Sequence, residues 1–168
     1  DNLDLINQQQ KDHSNLKDKP SLLIIEDNLE IYHYLTSELS QHYLTMGSTD
    51  GKQGIELAFE KLPDIIISDI MMPGTDGIEV SKTLKNNIKT SHIPIILLSA
   101  RANDESKIEG LQSGADVYLT KPFSLEVLKT QLTSLLNNRK MTHNEFKNLN
   151  FEPSKVNISS MDEVFVEN

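Results

Sequence analysis

The sequence predicts an α/β fold: a five-stranded parallel sheet with helices on both faces. Three observations predict it. Apolar runs of strand length alternate five times with stretches of helical periodicity. The runs, such as Ile65-Ile66-Ile67, are rich in β-branched or aliphatic residues without polar alternation, as in strands buried on both faces. Four of the five runs end in residues that carry chemistry: Glu26-Asp27, Asp69, Ser99 and Lys121.

The elements follow in order. Residues 1–20 are polar, with Gln8-Gln9-Gln10 and few large apolar side chains, and read as linker. Leu22-Leu23-Ile24-Ile25 is the first strand. Leu29, Tyr32, Leu35 and Leu39 are spaced to share one face of the first helix. Tyr43-Leu44-Thr45-Met46 is the second strand, and Ile55, Ala58, Phe59 and Leu62 form the stripe of the second helix. The third strand runs into Asp69; Pro73, Gly74 and Gly77 then turn the chain toward a helix marked by Val80, Leu84 and Ile88. Pro94-Ile95-Ile96-Leu97-Leu98 is the fourth strand, its proline at the start where a missing N–H is tolerated. Ile108 and Leu111 mark a weaker fourth helix, stopped by Gly114. Asp116-Val117-Tyr118-Leu119-Thr120 is the fifth strand. Ser124 caps the last helix, whose stripe is Leu125, Leu128, Leu132, Leu135 and Leu136. The folded core spans 21–138, and 139–168, polar and sparse in apolar residues, reads as a C-terminal linker. The flavodoxin-like strand order 2-1-3-4-5 is the expectation at this size.

Composition narrows the function. The 168 residues suit one domain with tails, and 16 basic against 25 acidic residues leave a net charge of −9. That is a poor match for nucleic acid, whose phosphates are bound through Lys and Arg. There is no cysteine, which excludes disulfides and thiolate metal sites. No apolar stretch approaches the ~20 residues of a membrane span. No Gly-rich nucleotide motif is present. The five histidines, His13, His33, His42, His92 and His143, lack metal-ligand spacing and read as solvated or structural. The chain starts at Asp1, which suggests a piece of a longer protein.

In a parallel sheet the strand ends named above share one edge, where such folds bind ligands. Glu26, Asp27 and Asp69 crowded together repel, and a hard divalent cation, Mg²⁺ or Mn²⁺, relieves this. Lys121 can neutralise a phosphoryl oxygen, Ser99 can donate to another, and a carboxylate can accept a phosphoryl group. Each residue also has a plain structural role open to it. Asp27 can cap the first helix with Glu30 completing a box, Lys121 can be solvated, and Ser99 can bond backbone.

Together the motifs Ile24-Ile25-Glu26-Asp27-Asn28, Ser68-Asp69-Ile70-Met71-Met72-Pro73-Gly74-Thr75-Asp76-Gly77, Pro94-Ile95-Ile96-Leu97-Leu98-Ser99-Ala100 and Lys121-Pro122-Phe123 resemble the receiver domain of two-component response regulators, over essentially all of 21–138. The resemblance implies Asp69 as phosphoacceptor. It implies Glu26, Asp27, Asp69 and the backbone carbonyl of Met71 as Mg²⁺ ligands. Ser99 becomes the switch hydroxyl, Tyr118 the switch aromatic, and Lys121 the phosphate-binding lysine before a cis proline. It implies a histidine kinase as donor and a changing face built from the fourth helix, fifth strand and fifth helix, through which the chain can form a homodimer. Met71, two residues beyond Asp69, is apolar and cannot orient a water, and Arg101, two beyond Ser99, is cationic, so the acyl phosphate is expected to be no shorter-lived than where a polar group stands at the Met71 position.

The tail Ile158-Ser159-Ser160-Met161-Asp162-Glu163-Val164-Phe165 is similar to the junction before an AraC-type DNA-binding domain in hybrid two-component proteins, typical of Bacteroidetes. That architecture implies a sensor histidine kinase in cis, an output domain downstream, and a cytoplasmic receiver in a parent that is membrane-anchored. By itself the fragment is expected to touch neither nucleic acid nor membrane. A metal-dependent phosphatase acting on small molecules, or a degenerate receiver acting as a phosphate-independent interaction module, stays open as the other function class. A haloacid-dehalogenase-type phosphatase is disfavoured, because Met71 stands where a second Asp is needed.

Overall fold

Aliphatic runs that present large side chains to both sides can be satisfied only between two helical layers. The computed structural model describes residues 18–150 and shows this arrangement. The elements are β1 (Ser21–Ile25), α1 (Leu29–Leu39), β2 (Leu44–Ser48), α2 (Gly51–Lys61), β3 (Ile65–Asp69), α3 (Gly77–Lys85), β4 (Ile95–Ser99), α4 (Asp104–Gln112), β5 (Val117–Thr120) and α5 (Leu125–Asn150). The strands form one sheet in the order β2-β1-β3-β4-β5, and every pairing is parallel. The register sets Ile24 beside Ile67, Ile67 beside Ile96, and Ile96 beside Val117.

Successive strand residues point to opposite faces. Leu23, Ile25, Ile66, Ile95 and Leu97 join one core cluster with Ala58 of α2 and with Val80 and Leu84 of α3. The alternate residues Leu22, Ile24, Ile65, Ile67, Ile96 and Leu98 are equally buried, and so are Leu35 and Leu39 of α1 and Leu128 and Leu132 of α5. Each such side chain contributes roughly 1.5–3 kcal/mol by leaving water.

Asn or Asp starts four of the helices. Asn28 accepts from Glu30 and Ile31, Asp50 from Gln53, Asp76 from Glu79 and Asn103 from Ser106. Each cap satisfies backbone N–H groups that a helix start leaves unpaired. Ser124 meets the Val127 N–H of α5 at 3.5 Å.

Several details differ from the sequence reading. β2 begins at Leu44 and runs on to Ser48, which pairs with Ile25, while Tyr43 is buried ahead of it. Leu62 leaves the α2 stripe: it is the C-cap, in the left-handed region at φ 47°, and is exposed. Ile88 lies beyond α3 and is 90% exposed. That helix stops at Asn86, and the Thr90 hydroxyl donates to the Leu84 carbonyl at 2.6 Å. Leu29 starts α1 but faces solvent. Ile108 and Leu111 do belong to α4, yet both are exposed, because that helix buries Gly110 instead. Finally, α5 passes the expected end at Asn138 and stays helical to Asn150. Among the described residues, those up to Leu132 lie in one compact unit, and those from Thr133 lie in a second.

Candidate functional site

The parallel sheet delivers its strand ends to one edge. Asp69 is the last residue of β3 and Ser99 the last of β4; Glu26 follows β1 and Lys121 follows β5. Glu26 is 1% exposed, Asp69 5% and Ser99 0%. The β5 end is fixed to β4 by the Lys121 N–H, which donates to the Ser99 carbonyl at 2.7 Å. The β1 end is fixed to β2 by the Glu26 N–H, which donates to the Ser48 carbonyl at 3.1 Å.

Glu26, Asp27 and Asp69 each bring a carboxylate oxygen within 4.8 Å of the others. Among the described residues they are the one His, Asp and Glu group placed to hold a metal ion. Asp27 is free for this because Asn28, not Asp27, caps α1. The capping role that the sequence left open to Asp27 therefore falls to its neighbour. Lys121 Nζ lies 2.9 Å from Asp69 Oδ1 and 3.2 Å from Glu26 Oε2. The Asn28 N–H donates to Glu26 Oε1 at 3.1 Å.

One ammonium faces three carboxylates, so the ionised cluster holds an excess of two negative charges. Two like charges at about 4 Å cost roughly 4 kcal/mol at an effective dielectric of about 20. The titration of the cluster reflects this. Burial, followed by the Asp69 charge, raises Glu26 above the ordinary carboxylate value, against the Asn28 and Lys121 hydrogen bonds. Burial also raises Asp69, with Asp27 adding to the rise and Lys121 opposing it. Burial alone would lower Lys121, but the hydrogen bond and charge of Asp69, with Glu26 behind it, raise it on balance. An oxygen-only donor set with two surplus negative charges fits a hard divalent cation.

Gly77 fits the loop after Asp69 to α3. A Cβ there would strike the Asp69 carbonyl and the Ile70 backbone. Its N–H donates to the Ile70 carbonyl at 3.0 Å. In the same loop Met71 is exposed and Met72 buried. The Lys121-Pro122 peptide bond is cis.

Ser99 Oγ accepts the Arg101 N–H at 3.0 Å. The Tyr118 hydroxyl donates to the Arg101 carbonyl at 2.7 Å. The two side chains that the sequence singled out as a pair thus hold the backbone of one residue, one at its N–H and the other at its carbonyl. The sequence reading missed this role of Arg101, because it runs through backbone atoms and leaves no mark on residue type. A cleft of about 260 Å³ lies beside these residues, lined in part by Met71, Ile78, Ser99, Arg101 and Tyr118. His33, read as solvated or structural, is exposed and makes an edge-to-face contact with Tyr32 at 5.5 Å. None of the described helices is long and apolar enough to cross a membrane.

Comparison with known proteins agrees with this geometry. The family model for the response regulator receiver domain matches residues 22–133. Histidine kinase P4 of Formosa agariphila is 38% identical over 148 residues, which is 88% of this chain and 11% of that protein. The transcriptional regulatory protein AfsQ1 of Streptomyces coelicolor is 40% identical over 118 residues, 70% of this chain and 51% of that protein. The chain therefore spans about half or less of these relatives. The receiver domain of the Francisella response regulator 1452 superposes with a TM-score of 0.66 at 38% identity, covering 71% of this chain and 98% of that one. The chain belongs to the response regulator receiver domain family, the signal-receiving module of two-component systems.

Proposed function

We propose that Asp69 accepts a phosphoryl group from the phosphohistidine of a histidine kinase, and that the resulting acyl phosphate changes the face formed by α4, β5 and α5. The observation that carries this reading is the buried Asp69 carboxylate, within 4.8 Å of Glu26 and Asp27 and bonded to Lys121. An Asp69 oxygen attacks phosphorus in line. The P–N bond breaks, and its electron pair stays on the imidazole nitrogen, which is then protonated.

Glu26, Asp27, Asp69 and the Met71 carbonyl would hold Mg²⁺, or Mn²⁺ in its place. When bound, the cation neutralises charge on the carboxylates and on the incoming phosphoryl oxygens. Lys121 bonds one phosphoryl oxygen and so exchanges part of its Asp69 contact for the phosphate. Ser99 donates its hydroxyl proton to another oxygen while keeping the Arg101 N–H as a donor to it. Tyr118 follows through the backbone of Arg101. The charge change biases two packings of one face. Ile108 and Leu111 on α4 and Val127 on α5 are 54%, 48% and 46% exposed, which supports partner contact there, including a homodimer.

On this reading the domain lies in the cytoplasm, linked in cis to a kinase and followed by a DNA-binding output domain. Its proposed extent is 21–138, between linkers. The tail that resembles an AraC junction lies outside the described residues. The test is intact mass after incubation with Mg²⁺ and acetyl phosphate, beside Asp69→Ala. One added phosphoryl group, absent in the variant and without Mg²⁺, is the expected result. Catalytic release of phosphate over many turnovers would instead indicate a phosphatase, and no gain even from the cognate kinase would indicate a phosphate-independent interaction module.

A further inference from the structure

Glycine is the poorest helix former after proline, so a glycine inside a short helix calls for a reason. Gly110 stands in α4, its position buried while Ile108 and Leu111 on either side are exposed. A Cβ built on Gly110 would lie 2.5 Å from Tyr118 Cδ2 and 2.9 Å from Cε2, with Leu97 Cδ1 at 3.6 Å. The aromatic ring occupies the space a side chain would take. From that position its hydroxyl reaches the Arg101 carbonyl, and the N–H of the same residue reaches Ser99 Oγ.

We infer that Gly110 is a positioning residue for Tyr118: the missing side chain is the seat of the ring, and that seat links Tyr118 to Ser99 through the backbone of Arg101. The contact falls along one edge of the ring, on Cδ2 as well as Cε2, so the ring cannot yield by bending its tip alone. A methyl group at 110 forces it to rotate away from α4. The hydroxyl then loses the Arg101 carbonyl, and the loop between β4 and α4 loses its hold from β5. The chain of contacts ends at Ser99 and includes none of the Asp69, Glu26 or Asp27 carboxylates, so acceptance of phosphate continues while its effect on Tyr118 is lost. The inference rests on the proposed switch role of Tyr118 for its functional meaning, but not for the seat itself.

The experiment is ¹⁹F NMR of the full chain labelled with 3-fluorotyrosine, before and after incubation with acetyl phosphate and Mg²⁺. The chain has four tyrosines, and Tyr118→Phe identifies the resonance. In Gly110→Ala the Tyr118 resonance moves before any phosphate is added, the Arg101 amide shift moves with it in ¹H–¹⁵N spectra of a ¹⁵N-labelled sample, and acceptance of one phosphoryl group proceeds as in the wild type. A Tyr118 resonance unmoved by Gly110→Ala overturns the seat. A wild-type Tyr118 resonance that ignores phosphorylation overturns the switch reading instead, and the seat is still judged by the variant. If Gly110→Ala fails to fold, it is combined with Tyr118→Ala, which removes the ring that meets the new methyl. A folded double variant upholds the seat, and an unfolded one overturns it.

Discussion

The two edges of the sheet use the same residue types to opposite ends. At the amino edge, Asp64 Oδ2 accepts the Ser21 N–H at 2.8 Å and the Ser21 hydroxyl at 3.1 Å. Asp116 Oδ2 there accepts the Ile95 N–H at 2.8 Å and Lys85 Nζ at 2.9 Å, while Lys85 also donates to the Ile93 carbonyl at 2.8 Å. Each carboxylate has fixed donors of its own, and each bond ties one strand start to a neighbour. At the carboxyl edge, three carboxylates crowd together and one lysine bonds two of them, Glu26 and Asp69. A carboxylate with enough donors is scaffold. A cluster whose charge exceeds its donors is held ready for a cation and a phosphoryl group, and it is tolerated because the rest of the sheet is over-determined.

The sharpest way to break this comparison exchanges the lysines. Lys121→Met removes the only ammonium bonded to Asp69 among the described contacts, and the rate of phosphoryl acceptance from acetyl phosphate falls by about 10²–10³-fold, the usual effect of losing one preorganised charge partner. Lys85→Met leaves that rate unchanged but lowers stability by about 1.5–3 kcal/mol, as expected for a charged hydrogen bond at a partly buried site. Rate and urea midpoint, measured on both variants, decide the matter. Equal effects on both quantities would erase the distinction between the edges.

Neutralising one carboxylate at each edge separates them by sign. Without added metal, Asp69→Asn or Glu26→Gln raises the Tm, because repulsion is relieved and burial no longer penalises a charge; a gain of about 1–2 kcal/mol follows from the pair energy once screening is allowed for. Asp64→Asn lowers the Tm, because two donors lose a charged acceptor. Adding Mg²⁺ at about 100 times its dissociation constant stabilises the wild type by about 2.7 kcal/mol and leaves Asp69→Asn nearly unmoved.

The pH dependence of the metal-free protein sharpens the same point. Glu26 and Asp69 titrate above their ordinary values of 4.5 and 3.8 when folded. Between those values and the raised ones the folded chain binds more protons than the unfolded chain, so their contribution to stability increases as pH falls through that window and decreases as pH rises. Lys121 acts at the other end: its raised pKa gives a contribution that is full below 10.5 and is lost as pH rises through the folded value. Glu26→Gln flattens the acid-side slope of Tm against pH. An unchanged slope would mean that the cluster does not govern that window.

How far the sequence reaches depends on what kind of interaction sets each feature. Strand positions and order are legible because burial on both faces demands runs such as Ile65-Ile66-Ile67. The acidic trio is legible because a parallel sheet brings strand ends together whatever the details of packing. Ile108 and Leu111 mark α4 correctly, but nothing in residue type shows that this helix approaches β5 through Gly110 and leaves both of them exposed. Ile88 misled because helix length is set by capping, and Thr90 closes α3 before the period reaches it. The Arg101 bridge was invisible because backbone groups are the same at every residue.

The smallest predicted effect concerns how long Asp69 keeps its phosphoryl group. Hydrolysis needs a water placed in line with the Asp69–phosphorus bond. Met71 and Arg101 line the adjacent cleft, and neither side chain accepts a hydrogen bond strongly enough to orient that water. Met71 is 53% exposed, so replacing it disturbs little packing. Met71→Asn supplies an amide that can hold the water without acting as a base. Loss of phosphate is therefore expected to quicken by roughly three- to tenfold, below the about 10²-fold of a positioned general base. The decay of phosphorylated chain by intact mass, after removal of acetyl phosphate, measures it. An unchanged lifetime would place the slow step in access to the phosphate, with Arg101 and the loop after β4 as the barrier, and Arg101→Ala would then shorten the lifetime where Met71→Asn does not.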